Sequence, residues 1–147
     1  MMRHKALTHL SQEHHQGLIL AQLLKPNAPD YSGLPRTISG KTDYAIKFYS
    51  SSLAGHFIKE EVILYPLIKG KNPKIDSLFA DVFSEHKRIG KLVEELKIVG
   101  NHEKTLYELG QLLEAHIRKE ERILFPLIQE LIPAEILQKL EEMLNKK

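Results

Sequence analysis

The sequence predicts an all-α protein, an up-down-up-down four-helix bundle closed by a short C-terminal amphipathic helix. Three observations predict it. Apolar residues recur at helical spacing almost throughout, with no run of strand-like alternation. The breaks between these stretches are mostly short and carry Gly and Pro, as turns between antiparallel helices do. The chain also writes one phrase twice: 56–68 read HFIKEEVILYPLI and 116–128 read HIRKEERILFPLI, so that 53–69 and 113–129 share ten of seventeen positions. A weaker echo pairs Glu13-His14 with Glu85-His86. The first two helices thus read as one unit and the next two as its copy.

The first helix is expected from about Lys5 to Leu24, with Leu7, Leu10, His14, Gly17, Leu18, Ala21 and Leu24 on one face; Lys25-Pro26 stops it. The connection 26–38 holds Pro26, Pro29, Gly33 and Pro35, is long for a bundle, and is a candidate lid. The second helix is expected from about Lys41 to Lys69, with Tyr49, Leu53, His56, Glu60, Ile63, Leu64 and Leu67 as its stripe. Asn72 is the expected N-cap of the third helix and Pro73 its first residue. That helix runs to about Val99, before Gly100, and aligns Phe79, Val82, His86, Ile89 and Val93. The fourth runs from about His102 to Leu131, with Leu109, Leu113, His116, Glu120, Ile123, Leu124 and Leu127 on one face. Pro66 and Pro126 each remove a helical hydrogen bond and are expected to bend these helices ~15 Å from the ligand layer. Ile136, Leu137, Leu140 and Leu144 are the apolar stripe of a last helix over 134–145. Residues 1–147 read as a single domain, with the bundle over about 5–131.

Composition narrows the chemistry. A chain of 147 residues, 42% hydrophobic and 27% charged, suits one domain with a real core. A net charge of +2 gives no nucleic-acid footprint. The longest apolar run, Val62–Ile68, is too short to cross a membrane. The start, Met-Met-Arg-His-Lys, lacks the apolar stretch of a secretory signal, so the expected location is the cytoplasm. Cysteine is absent, which removes disulfides, thiolate metal sites, iron–sulfur clusters and cysteine nucleophiles together. Any metal must then be held by nitrogen and oxygen. Eight histidines are the compositional oddity.

Four of the eight point inward. Positions i and i+4 of a helix lie about 40° apart, so His56 with Glu60 and His116 with Glu120 sit inside apolar stripes, where a bare charge is costly. His14 and His86 occupy the same kind of stripe. Counted from the turns, His56, His86 and His116 each lie about 13 or 14 residues from a helix end, which places them at one level; the long first connection lets His14 join them. A lone His-x-x-x-Glu is usually a side-chain pair on a helix surface. Two copies, with two further inward histidines at matching depth, point to a metal site built from His14, His56, Glu60, His86, His116 and Glu120. Imidazoles and carboxylates suit Fe, Mn or Zn, and two carboxylates in one layer favour a bridged pair. His4, His9, His15 and His102 read as surface, with His15 the alternative to His14 if the first helix is rotated.

Together, Glu13-His14, His56-x-x-x-Glu60, Glu85-His86 and His116-x-x-x-Glu120 resemble the hemerythrin-like, or HHE cation-binding, domain family over essentially Leu7–Ile132. The resemblance implies a four-helix bundle around a non-haem di-iron centre of two Fe ions, with Mn or Zn as substitutes. By it, His14, His56, His86 and His116 are terminal ligands, and Glu60 and Glu120 bridge the metals. It implies a protein that binds O2, NO or a related small ligand for sensing, buffering or carriage. The alternative is an iron-handling or redox enzyme: Fe2+ oxidation, peroxide or NO turnover, or repair of iron centres. Two positions depart from oxygen-carrying hemerythrins. Those proteins place a further histidine four residues after the one in the third helix, here Gly90. They also commonly use an aspartate five residues after the fourth-helix histidine, where this chain has Glu120 at i+4 and Glu121 at i+5. The missing histidine leaves a coordination position for water or a group such as Tyr49. A third reading, a metal-free bundle that serves a protein partner, would have to bury Glu60 and Glu120 against protonated histidines, a poor use of a desolvated core.

Overall fold

The structure, a computed structural model, describes residues 2–145 and is all-helical, with no strand among the described residues. Its helices are α1 (Lys5–Leu23), α2 (38–68), α3 (Pro73–Leu96), α4 (103–131) and α5 (Ala134–Leu144). α2 begins earlier than expected because Thr37 caps it, its Oγ1 accepting from Gly40 N–H at 3.0 Å. α3 starts as expected, Asn72 Oδ1 accepting from the Lys74 and Ile75 amides at 2.9 and 3.2 Å. It ends at Leu96 instead of near Val99. Ile98 and Val99 beyond it are 67% and 100% exposed, so no packing holds a further turn.

The core is two apolar clusters with a polar layer between them. α1 gives Leu7 and Leu10 to one cluster and Leu20 and Leu24 to the other, with His14 in between. α2 gives Leu53 and Phe57 to the Leu20 cluster, then Leu64 and Ile68 to the Leu7 cluster. α3 divides Phe79 and Val82 from Ile89 and Val93, and α4 divides Leu109 and Leu113 from Leu124 and Ile128. α1 packs on α4 and α5, α3 packs on α4, and α2 touches α3, α4 and α5. α5 closes the Leu7 cluster with Leu137 and Leu140, flanked by Ile136 and Leu144. The connection after α1 packs Tyr31 and Leu34 on the Leu20 cluster. It also borders a cavity of about 500 Å³ shared with Tyr107 and Glu114 of α4.

Two of the long helices are not α-helical throughout. Residues 49–53 and 59–64 of α2 and 120–124 of α4 form π turns. The Tyr65 amide donates to the Glu60 carbonyl, and the Phe125 amide to the Glu120 carbonyl, each five residues back. Pro66 and Pro126 follow at once, so the hydrogen bond that proline cannot make falls where the helix has already widened. The departure from α geometry thus begins ahead of each proline, at Lys59 and at Glu120, and α2 has an earlier one at 49–53. It also shifts the buried register. Leu64, Ile68, Leu124 and Ile128 are buried, Ile63, Leu67 and Leu127 only half so, and Ile123 is 49% exposed.

Candidate metal centre

Each long helix delivers its share of the polar layer. His14 comes from α1, His56 and Glu60 from α2, His86 from α3, and His116 and Glu120 from α4; none is more than 4% exposed. His14 faces in and its neighbour His15 faces solvent, which settles the rotation of α1. His9 is exposed as expected, whereas His4 is half-buried and caps α1, its Nδ1 accepting from the Ala6 amide at 3.0 Å.

His14, His56, Glu60 and Glu120 offer donor atoms that all lie within 4.8 Å of one another, and so do Glu60, His86, His116 and Glu120. Both glutamates belong to both sets. The four Nε2 atoms face into the layer. His14 Nε2 lies 2.9 Å from Glu120 Oε1 and 3.1 Å from His56 Nε2. His86 Nε2 lies 3.1 Å from Glu60 Oε1, and His116 Nε2 3.3 Å from Glu120 Oε1. The four Nδ1 atoms face outward, each onto a carboxylate: Glu121 for His14 at 2.7 Å, Glu13 for His56 at 3.0 Å, Glu61 for His86 at 2.9 Å and Glu85 for His116 at 2.7 Å.

The electrostatics of the layer split both kinds of group. Burial and the Glu120 charge push Glu60 well above the ordinary carboxylate range. Burial would do the same to Glu120, but its contacts with Glu60, His116 and His14 hold it well below. Among the imidazoles, burial lowers His56 and, together with the charge of His116, brings His86 to about 3. Burial opposes charge on His14 and His116 too, yet Glu120 and an outer carboxylate beside each raise both, His116 to about 9. Glu13 falls to about 2 against its burial, through His56 and Lys59. Without a cation, the layer therefore meets its negative charge with protons on some of its own groups.

Those protons do not satisfy it. Glu60 Oε2, Glu120 Oε2 and His116 Nε2 are buried with no hydrogen-bond partner among the described residues, an arrangement that native interiors avoid unless something else binds there. Two imidazoles and two carboxylates per set are donors that Fe, Mn and Zn accept. The residues fit a pair of metal ions.

The surroundings are unequal on the two sides. Phe57 stacks on His86 with centroids 3.8 Å apart, and Phe125 on His14 at 5.5 Å. A Cβ built on Gly90 would lie 3.0 Å from Tyr49 Oη, so the space where the resemblance expects a histidine side chain is filled by a tyrosine from α2. Beside His14 and His56 lies a cavity of about 110 Å³, walled by Gly17, Phe48, Leu53 and Ile117 and edged by Glu13 and Gln16. Sequence reasoning read none of the outer carboxylates as partners of the ligands. The available signal was that each directly adjoins a predicted ligand: Glu13, Glu61, Glu85 and Glu121.

A family model described as the hemerythrin HHE cation-binding domain matches residues 5–128. No curated protein and no solved structure matches the chain.

Proposed function

The chain belongs to the hemerythrin HHE cation-binding domain family, and we propose that it is a single-domain di-iron protein whose buried layer presents two Fe ions to O2, NO or a related small ligand. The observation that carries this reading is the pair of four-donor sets that share Glu60 and Glu120, with three buried donor atoms left unpartnered. His14 and His56 would hold one ion, His86 and His116 the other, and Glu60 and Glu120 would bridge them. Iron held this way supplies a redox couple and coordination positions not taken by protein.

The chain's own residues do the rest. The Leu7 and Leu20 clusters shield the layer from water on both sides. The 110 Å³ cavity at His14 and His56 is room enough for a diatomic molecule. Gly17 keeps it open, since a Cβ there would come within 2.7 Å of Ile117 Cδ1. The up-down-up-down order belongs to the same proposal. It is supported by the alternation of clusters along the chain: α1 and α3 run from the Leu7 cluster to the Leu20 cluster, α2 and α4 the reverse way.

Elemental analysis of protein produced with iron supplied should find about two metal ions per chain. A ratio near zero, unrecovered after anaerobic reloading with Fe2+, would reduce the layer to a structural feature. Stopped-flow mixing of the reduced, loaded protein with O2 or NO should give a spectral change that reverses when the gas is removed. Gly17→Ala should slow that change several-fold at unchanged metal content, because Ile117 must then shift into the cavity. An unaltered rate would place gas entry elsewhere.

A second reading, turnover of peroxide or NO, is favoured by the donor count. Four protein donors per ion leave positions for a reactant. Consumption of peroxide or NO faster than by free iron would decide for it.

A further inference from the structure

We infer that Glu13, Glu61, Glu85 and Glu121 are positioning residues of the metal centre, each gripping one histidine from the neighbouring helix so that the four Nε2 atoms converge on the ion pair. The inference rests on the metal reading above. An ionised carboxylate only accepts, so a hydrogen in each of the four outer contacts sits on Nδ1, and once the ring is neutral Nε2 keeps its lone pair. That is the tautomer a metal at the centre of the layer requires.

The four grips close a circle. Glu13 of α1 holds His56 of α2, Glu61 of α2 holds His86 of α3, Glu85 of α3 holds His116 of α4, and Glu121 of α4 holds His14 of α1. Each of these glutamates is the chain neighbour of a ligand, so no helix can shift its own ligand without moving the grip on the next one. Three of the four are themselves held. Lys59 Nζ donates to Glu13 at 2.9 Å, Lys119 Nζ to Glu85, and Glu121 receives Ser11 Oγ at 2.7 Å and Arg3 Nη2 at 3.2 Å. Glu61 has no cation within reach among the described residues and is 44% exposed. The twice-written Lys-Glu-Glu now has a role for every member. The lysine holds the outer carboxylate of the preceding helix, the first glutamate enters the layer, and the second grips a histidine of the following helix.

The competing account is that these are ordinary ion pairs that only stabilise the bundle. Ion pairing does not care which ring nitrogen carries the hydrogen; positioning does. Glu61 is the place to separate the two, because its carboxylate is partly in water and ties to nothing but His86.

The test uses the full chain with Glu61→Gln and Glu61→Met, two-bond 1H–15N NMR of the His86 ring in the metal-free protein, and Co2+ affinity by chelator competition. Wild type should show Nδ1–H at His86. Glu61→Gln should keep that tautomer, its amide oxygen still accepting, with a small loss of affinity. Glu61→Met should lose the tautomer and bind Co2+ about 10–100-fold more weakly. Wild-type tautomer and affinity in Glu61→Met would overturn the inference while leaving the metal site standing. A wild-type protein that takes up no Co2+ would overturn the metal reading and this inference with it. Glu13→Met, read at His56, repeats the test should Glu61→Met not fold.

Discussion

Glu120→Gln is expected to empty both metal positions, whereas His86→Ala should empty only one. Both four-donor sets contain Glu120, and only one contains His86. Glutamine preserves the shape of Glu120 and can still meet His14 and His116, but it carries no charge and offers one acceptor oxygen where two ions each need one. The metal content should therefore fall from about two per chain to near zero. His86→Ala leaves His14, His56, Glu60 and Glu120 intact, so about one ion should remain. That variant will also be less stable, because it removes the ring stacked on Phe57 and leaves Glu60 Oε1 without its His86 contact, at a cost of about 1–3 kcal/mol. Elemental analysis of the two variants beside wild type reads the difference directly. Two ions retained in Glu120→Gln would show that this glutamate is not shared. Equal loss in both variants would show that the two positions do not fill independently.

The parts of this centre that were legible in the sequence are those governed by one helix at a time. His56 with Glu60, and His116 with Glu120, follow from an i,i+4 count within an apolar stripe, and the level of His86 follows from counting along one helix to its turn. Three features escaped that reasoning. The outer carboxylates act across helices, at separations such as that between His14 and Glu121, where no local pattern assigns a partner. Glu61 and Glu121 sit about 100° round from Glu60 and Glu120 on an ideal helix, which reads as a solvated face. The π turns changed the register itself. A count at α-helical spacing puts Ile63, Leu67, Ile123 and Leu127 inside beside Leu64 and Leu124; across the wide turns at 59–64 and 120–124 Leu64 and Leu124 stay buried, and Ile68 and Ile128 join them in place of the others. Pro66 and Pro126 were the visible sign of that departure, which begins ahead of each of them. Phe57, packed on His86, was passed over because it lies one residue past His56.

Loading with metal should raise the melting temperature substantially, and the gap between loaded and metal-free protein should widen as pH rises from about 6.5 to 9. At free metal a thousandfold above its dissociation constant, binding to the native state alone contributes about 4 kcal/mol, or roughly 10 °C for a domain of this size. The pH dependence follows from what the empty layer does in place of binding metal. His116 is raised to about 9 in the folded chain by the Glu120 and Glu85 carboxylates beside it, against its burial. Its proton thus stabilises the empty fold fully below the unfolded histidine value near 6.5, and that contribution is lost as pH climbs through about 9. Bound metal takes the place of the proton and loses nothing over the same range. On the acid side the order is different. His56 and Lys59 hold Glu13 down to about 2, so its grip on His56 outlasts ligation, and metal should leave as the imidazole Nε2 atoms take up protons, before Glu13 titrates. Calorimetric scans of loaded and chelator-stripped protein from pH 5 to 9, with metal retention measured down to pH 2, test both limbs. A gap that stays constant across the alkaline limb would mean that no proton competes with metal in the layer. Retention of metal down to pH 2 would mean that carboxylates hold it without the histidines.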